Sequence, residues 1–360
     1  MHIPDNYLSV STCAVLTVAT APVWIRSLKK VARDFPKERF SALGLASAFA
    51  FLAMMFNIPL PGGTTGHAVG GTVLAVLLGP EAACLALTIA LALQALLFGD
   101  GGVLAFGANA FNMAFVLPFV GYCCYLALKK TFDFFGKVFF NKRNLSKRAD
   151  FVALALASYL GINAAALVAA VEFGVQPIFF TDANGQALYC PYSLNVAIPA
   201  MAIGHLTLFG LAEAIFSVAV YAFVRNAAPD FALNEALFKK SDENDENDAS
   251  EQEKATRKGW DAIYCLLAIL IAASPLGLLA EGTAWGEWGA EEIAAVENNG
   301  EALGYTPKGM LEGFQWSALA PDYAAPGTPD WLAYVLSAVA GVALSIILVK
   351  LSTAFLPRQA

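Results

Sequence analysis

Long apolar runs recur along the chain, separated by short polar or basic stretches. They predict helices over residues 9–25, 41–60, 67–79, 82–98, 103–128, 151–173 and 195–224, then two more over 260–279 and 331–351. Most of these runs are long enough to cross the roughly 30 Å of a bilayer's hydrocarbon core. The 67–79 run is short, but at about 1.5 Å per residue it nearly spans a thinned or protein-lined region and is counted as a crossing. Between the seventh and eighth helices the pattern breaks at SDENDENDASEQE, residues 241–253. So dense a run of carboxylates predicts a disordered, self-repelling cytoplasmic linker. The chain thus divides into a seven-helix region, 1–225, a linker, 226–259, and a C-terminal region, 260–360, with two helices around a long extracytoplasmic loop.

Composition sets the solvent. The 360 residues are 58% hydrophobic and 14% charged, with a mean hydropathy of +0.59, beyond what a water-soluble domain carries. An all-α integral membrane protein surrounded by lipid follows, because backbone polar groups in hydrocarbon must be satisfied within helices or a closed barrel. The first run lacks the basic n-region and cleavage pattern of a signal peptide, so Met1 is expected to stay. Arg26, Lys29, Lys30, Arg33, Lys37 and Arg39 follow helix one, and Lys129, Lys130, Lys137, Lys142, Arg143, Lys147 and Arg148 follow helix five. The positive-inside rule makes both basic loops cytoplasmic, with the N-terminus outside and the C-terminus inside. The net charge of -7 owes most to the linker and the outer C-terminal loop, and implies no nucleic-acid partner. Five of six cysteines fall in helices, leaving Cys190 with no partner for an external disulfide. Trp285, Trp288 and Trp331 are expected as interfacial belt aromatics.

The candidate chemistry sits at the start, in Met1-His2-Ile3-Pro4-Asp5. The Met1 amine, the His2 amide nitrogen and the His2 ring can close two fused chelate rings and occupy three corners of a plane. His67, after Pro61-Gly62-Gly63-Thr64-Thr65-Gly66 and on the same side of the membrane, is placed to fill the fourth. Gly62, Gly63 and Gly66 give that loop a small, pliable backbone. Four nitrogens in a tetragonal plane suit Ni(II) or Cu(II), and Co(II) can adopt the arrangement. Each ligand nitrogen must lose its proton, so binding is expected to weaken as pH falls. Asn57, Gln94, Asn109 and Asn112 are polar residues in helices, which commonly bond across interfaces. Asn57 and Asn109 lie toward the outer ends, where they could orient His2 or His67. His205, near mid-membrane depth, reads as a hydrogen-bonded packing residue in preference to a transient ligand on the route inward. Glu213 is placed either to pair within the bundle or to meet a partner subunit.

These stretches resemble the CbiM/NikM family, the substrate-binding (S) membrane subunits of energy-coupling-factor (ECF) transporters for cobalt and nickel. The resemblance is carried by MHIPDNYLS, FNIPLPGGTTGHAVGG, QALLFGDGG, GANAFNMAF and GHLTLFGLAEA, spread over about residues 1–225. SPLGLLAEGTAWGEWG and the two-helix layout beyond the linker are similar to CbiN/NikN, the small accessory subunit. The resemblance implies an S-component helical bundle in the plasma (inner) membrane of a prokaryote. It also implies a metal held by the terminal amine, the amide and ring nitrogens of the second residue and the loop histidine, here Met1, His2 and His67. Asn6 stands where the family usually has glycine, and asparagine tolerates the positive φ that such a turn needs. The implied partners are a membrane coupling (T) subunit and cytoplasmic ATPases (A). With no G-x-x-x-x-G-K-[ST] loop, the chain itself binds no ATP by that route. The long fused form favours cobalt over nickel as the transported ion. A metalloenzyme fits poorly with three histidines and no HExxH, so the expectation is a subunit without catalysis. A vitamin-binding S component has no use for the chelating terminus. A metal sensor or scaffold would bind the ion without moving it.

Overall fold

The computed structural model describes residues 1–35, 40–60, 64–140, 144–228, 231, 249–280, 284–295, 297–298 and 301–354. Among these, seven helices are long and apolar enough to cross a membrane, and the chain is an all-α, multi-pass membrane protein. Helix α1 (Val10–Asp34) starts at Ser9, whose hydroxyl accepts from Thr12 N at 3.1 Å. It does not stop at residue 25. Arg26, Lys29, Lys30 and Arg33, expected in a loop, ride on its last turns, where cations complement the helix dipole. Its buried stripe is only Cys13, Thr20, Ser27 and Val31, while Val15 and Val18 are 66% and 71% exposed. An apolar face left open in this way belongs against lipid.

Helix α2 (Phe40–Met54) is the opposite case, apolar on every side and buried at all but one position, as expected for a helix at the centre of a bundle. The prediction that it runs to residue 60 is corrected. Pro59 can donate no helical hydrogen bond, and strand β1 (Ile58–Leu60) turns back on β2 (Thr64–Gly66), pairing Ile58 with Gly66 and Leu60 with Thr64. Helix α3 (Gly71–Leu78) is shorter than the predicted 67–79, so His67 lies before it in extended backbone. Helix α4 (Pro80–Leu93) has proline at its first turn, where the missing N–H costs nothing, and runs into a π-helical turn, Gln94–Phe98. Glu81 in its first turn meets Lys30 at 2.9 Å and Arg26 at 3.7 Å, tying α4 to the basic end of α1.

Helix α5 (Phe106–Asn109) passes through a π-helix, Ala110–Val116, into α6 (Leu117–Phe140). Helix α7 (Asn144–Gly174) packs along α6, and the one-turn α8 (Gln176–Phe179) follows. Helix α9 (Leu194–Gly204) continues through a third π-helical turn, His205–Phe209, into α10 (Gly210–Ala227). Helix α11 (Ala249–Ala273) ends in a 3-10 turn, Ser274–Leu279. Residues 249–253, expected to be disordered linker, are therefore helical, while 241–248 lie outside the described residues. Helix α12 (Asp330–Ala354) does not stand apart with α11. It lies along α2, so closely that a Cβ on Gly341 would run into the Phe51 ring.

Candidate metal-binding site

The first eight residues form a stem packed into the bundle, with Met1, His2, Ile3, Tyr7 and Leu8 buried. Asn109 holds it at Ile3. Its Oδ1 accepts from Ile3 N at 2.7 Å and its Nδ2 donates to Ile3 O at 3.0 Å, while Gly102 N donates to the same carbonyl at 2.8 Å. Two residues on, the Asp5 carboxylate accepts from Val103, Leu104 and Ala105 N at 3.1, 2.7 and 3.3 Å, across the turn into α5. Burial pushes the Asp5 carboxyl up, and those amides work against the shift. Asn6 takes the expected left-handed turn at φ 68° and is pinned from both sides, giving Nδ2 to Phe314 O at 2.8 Å and accepting Phe314 N at 2.9 Å. Tyr7 donates to Trp288 O at 2.7 Å, and Gln176 Oε1 accepts from Ser9 N at 3.0 Å. A stem with most of its polar groups engaged loses little by being drawn out of water, and His2 Nε2 is its buried side-chain atom without a partner.

This anchoring brings His2 against His67. His2 Nδ1 and His67 Nε2 are 3.3 Å apart, with ring centroids separated by 4.9 Å. His67 is buried, and its Nδ1 lies 3.2 Å from Ala68 O. His2 Nδ1 is also 3.0 Å from Asp100 Oδ1. The other Asp100 oxygen accepts from the Tyr323 hydroxyl and, at 3.3 Å, from Gln94 Nε2, which also donates to Tyr323 at 3.0 Å. The Met1 amine meets Glu287 Oε1 at 3.4 Å. His2, His67, Asp100, Glu287 and Tyr323 line a cavity of about 410 Å³ that also reaches Asn57, Thr65 and Asp322. Asp322 and Tyr323 both adopt positive φ, 54° and 60°, a conformation that non-glycine residues keep only when their surroundings impose it.

The electrostatics follow from burial among these charges. Burial pushes the His67 ring well below its ordinary value, and the Met1 ammonium and His2 push it further, against Asp100. Burial alone would raise the Asp100 carboxyl, yet the charge and hydrogen bond of His2, the Tyr323 hydroxyl and His67 hold it well below the usual carboxylate range. Burial and the adjacent Asp100 carboxylate keep the Tyr323 phenol protonated, its pKa far above the ordinary value. The cavity therefore offers an imidazole lone pair on His67 beside a fixed anion, which suits a divalent cation with a preference for nitrogen.

The other sequence candidates sort themselves. Asn57 lies beyond α2 and lines the cavity, while Asn109 acts through the stem. Gly62 and Gly63 lie outside the described residues. At Gly66 a Cβ would stand 2.7 Å from the Phe209 ring, so the close approach there requires glycine. His205 gives its Nδ1 to Met201 O at 2.8 Å and meets Phe209 edge-on, as expected of a packing residue. Glu213, anticipated within the bundle or at a partner subunit, accepts backbone N–H groups at Val69 and Gly70. Trp285 and Trp288, expected at the lipid interface, pack instead on Tyr192, and Trp285 also on Phe173. Trp331 is exposed. Asp100, Tyr323 and Glu287 carried no site expectation. The stretch QALLFGDGG held the signal for Gln94 and Asp100, but Tyr323 and Glu287 reach the cavity from residues far along the chain.

A family model described as the cobalt uptake substrate-specific transmembrane region matches residues 2–231, and a PDGLE domain matches 259–358. The chain is 46% identical to a probable fused nickel transport protein of Lactiplantibacillus plantarum, covering 97% of each chain. It is 43% identical to a fused nickel transport protein of Rhodobacter capsulatus, over 98% of this chain and 97% of that one. Among solved structures, one described as a truncated transition metal transporter is 50% identical, with a TM-score of 0.56 over 63% of this chain and 99% of its own. A second, described as a transition metal transporter, is 48% identical, with a TM-score of 0.57 over 66% of this chain and 96% of its own.

Proposed function

Because the chain belongs to the cobalt uptake substrate-specific transmembrane family, a family of transport subunits without catalysis, we propose that it captures divalent nickel or cobalt at the outer face of the membrane. The ligands are the Met1 amine, the His2 amide nitrogen, His2 Nδ1 and His67 Nε2. The observation that carries this reading is the 3.3 Å approach of His2 Nδ1 to His67 Nε2 in a cavity whose lining includes Glu287, the carboxylate that meets the Met1 amine. Adjacent corners of a square plane with bonds of about 2.0 Å are about 2.8 Å apart, so an ion would draw the two rings together by only about half an ångström. The Met1 amine lies against Glu287, and Asp100 faces His2 Nδ1. Loading exchanges the protons on these nitrogens for the metal, and Asp100 remains as a nearby counter-charge.

The sequence favoured cobalt. The two full-length fused relatives are described as nickel proteins, and raw affinity for a nitrogen site rises from Co(II) to Ni(II), so nickel is the first ion to test. The basic stretches at residues 26–39 and 129–148 support, by the positive-inside rule, an N-terminus outside and a C-terminus in the cytoplasm of a prokaryotic cell. Residues 1–225 hold the ion, 226–259 link, and 260–360 act as a CbiN/NikN-like unit. With no phosphate-binding loop of its own, the chain relies on an energy-coupling membrane subunit and ATPases for concentrative uptake. These partners drive release by favouring a state in which the four-nitrogen plane is broken. Calorimetry on protein with its native N-terminus tests the ligand set, beside a variant with one residue added before Met1 and His67→Ala. Ni(II) or Co(II) binding lost in both variants is expected. Undiminished binding by the extended variant would overturn the reading.

A further inference from the structure

Two residues on one helix grip the loop that carries His67. Glu213, in the first turn of α10, is fully buried. Its Oε2 accepts from Val69 N at 2.7 Å and Gly70 N at 3.0 Å, and its Oε1 lies 3.1 Å from Gly70 N. These amides open α3, whose N-cap Gly70 has no side chain to satisfy them. A carboxylate there meets both the unpaired donors and the positive end of the helix dipole. Four residues earlier, the Phe209 ring occupies the space that a side chain on Gly66 would need, at 2.7 Å. The loop is thus held at Gly66 and at Val69-Gly70, on either side of His67. Phe209 closes the π-helical turn His205–Phe209, and such turns re-aim side chains that a regular helix would place elsewhere. His205 packs edge-on behind the ring, its centroid 5.3 Å away.

We propose that Glu213 and Phe209 are positioning residues for metal binding, setting where His67 Nε2 stands relative to the plane begun by Met1 and His2. This rests on the metal-site reading given above. The pair touches no metal. It fixes a segment of five residues in which the His67 ring itself touches only the adjacent Ala68 carbonyl, through Nδ1, and His2, through Nε2, among the described hydrogen-bond contacts. Because the grips come from the π-helical turn and the first turn of α10 that continues it, displacement of that continuous helix would carry His67 with it.

The test uses the full chain with its native N-terminus, in detergent or nanodiscs, titrated with Ni(II) alone. Calorimetry gives the affinity, and visible absorption reports whether bound nickel is planar. Glu213→Gln keeps the volume but replaces one acceptor oxygen with a donor. Phe209→Leu keeps the apolar surface but withdraws the ring. Weakening of ten- to a hundredfold for Glu213→Gln is expected, the range typical of groups that orient a metal ligand. A smaller loss, fivefold or more, is expected for Phe209→Leu, with the planar nickel absorption diminished in both. A purely structural role would lower the metal-free melting temperature and leave the spectrum of bound nickel unchanged. Wild-type affinity and spectrum in both variants, with binding lost in His67→Ala, would overturn the positioning role and leave the metal site standing. Wild-type binding by His67→Ala would overturn the site reading and this inference together. Should Glu213→Gln fail to fold, Phe209→Leu decides by the same criteria.

Discussion

The Tyr323 phenol donates to Asp100 Oδ2, and the other oxygen of that carboxylate stands 3.0 Å from His2 Nδ1. Residues 223 positions apart are thus joined in one line of hydrogen bonds ending on a proposed metal ligand. Tyr323→Phe removes the donor and leaves a half-buried carboxylate oxygen with only Gln94 Nε2, at 3.3 Å, to donate to it. Nickel affinity is expected to fall by about tenfold, the lower end of the cost of removing a group that orients a metal ligand, with little change in helix content. Calorimetry and circular dichroism on the same preparation check both halves of that statement.

His67 supplies a pH dependence. Its ring titrates well below the ordinary value of 6.5. Between those two values the unfolded chain holds a proton there that the folded chain does not. The metal-free protein should lose stability as pH falls from about 6.5 toward the depressed value, and gain nothing from His67 above that interval. Melting temperatures measured across the interval should show this slope in the wild type and a shallower one in His67→Gln. Parallel slopes would mean that another group is responsible.

Asn109 satisfies both polar groups of Ile3 where no water reaches them. Asn109→Ala leaves a buried N–H and weakens the hold on its carbonyl, a loss of about 1–3 kcal/mol per unsatisfied group. The effect is expected to be local. Hydrogen exchange should rise across residues 1–8 before the long helices lose protection, and nickel binding should weaken with it.

Helix α12 rests on α2 through Gly341, where a methyl group would run into the Phe51 ring. Gly341→Ala should therefore destabilise the fold by about 1–3 kcal/mol, as overpacking of a close-packed interior does. Thermal unfolding measures the loss. Unchanged melting would mean that α12 can shift along α2 without penalty.

The helices and their approximate order were legible because burial in lipid demands long apolar runs, and such runs are local properties of a sequence. The proposed chelate of Met1 and His2 can be put forward from sequence for the same reason, since its atoms are neighbours along the chain. Helix ends were read less well. The end of α2 depended on Pro59 and on the pairing of β1 with β2, and α1 ran on through a basic segment because charged side chains at a helix terminus reach polar surroundings without breaking the helix.

The rest of the cavity was settled by contacts between distant segments. Glu213 could not be assigned from a lone carboxylate in an apolar helix, because its partners are backbone amides of another element and backbone amides leave no trace in sequence. Tyr323 and Glu287 look like ordinary polar residues of a long outer segment until that segment folds over the N-terminal stem. Hydropathy and local chelate chemistry identify a membrane protein with a candidate metal ligand at its start. Which carboxylate faces His2, and which helix grips the His67 loop, depends on packing, where side chains hundreds of residues apart meet because each needs a buried partner.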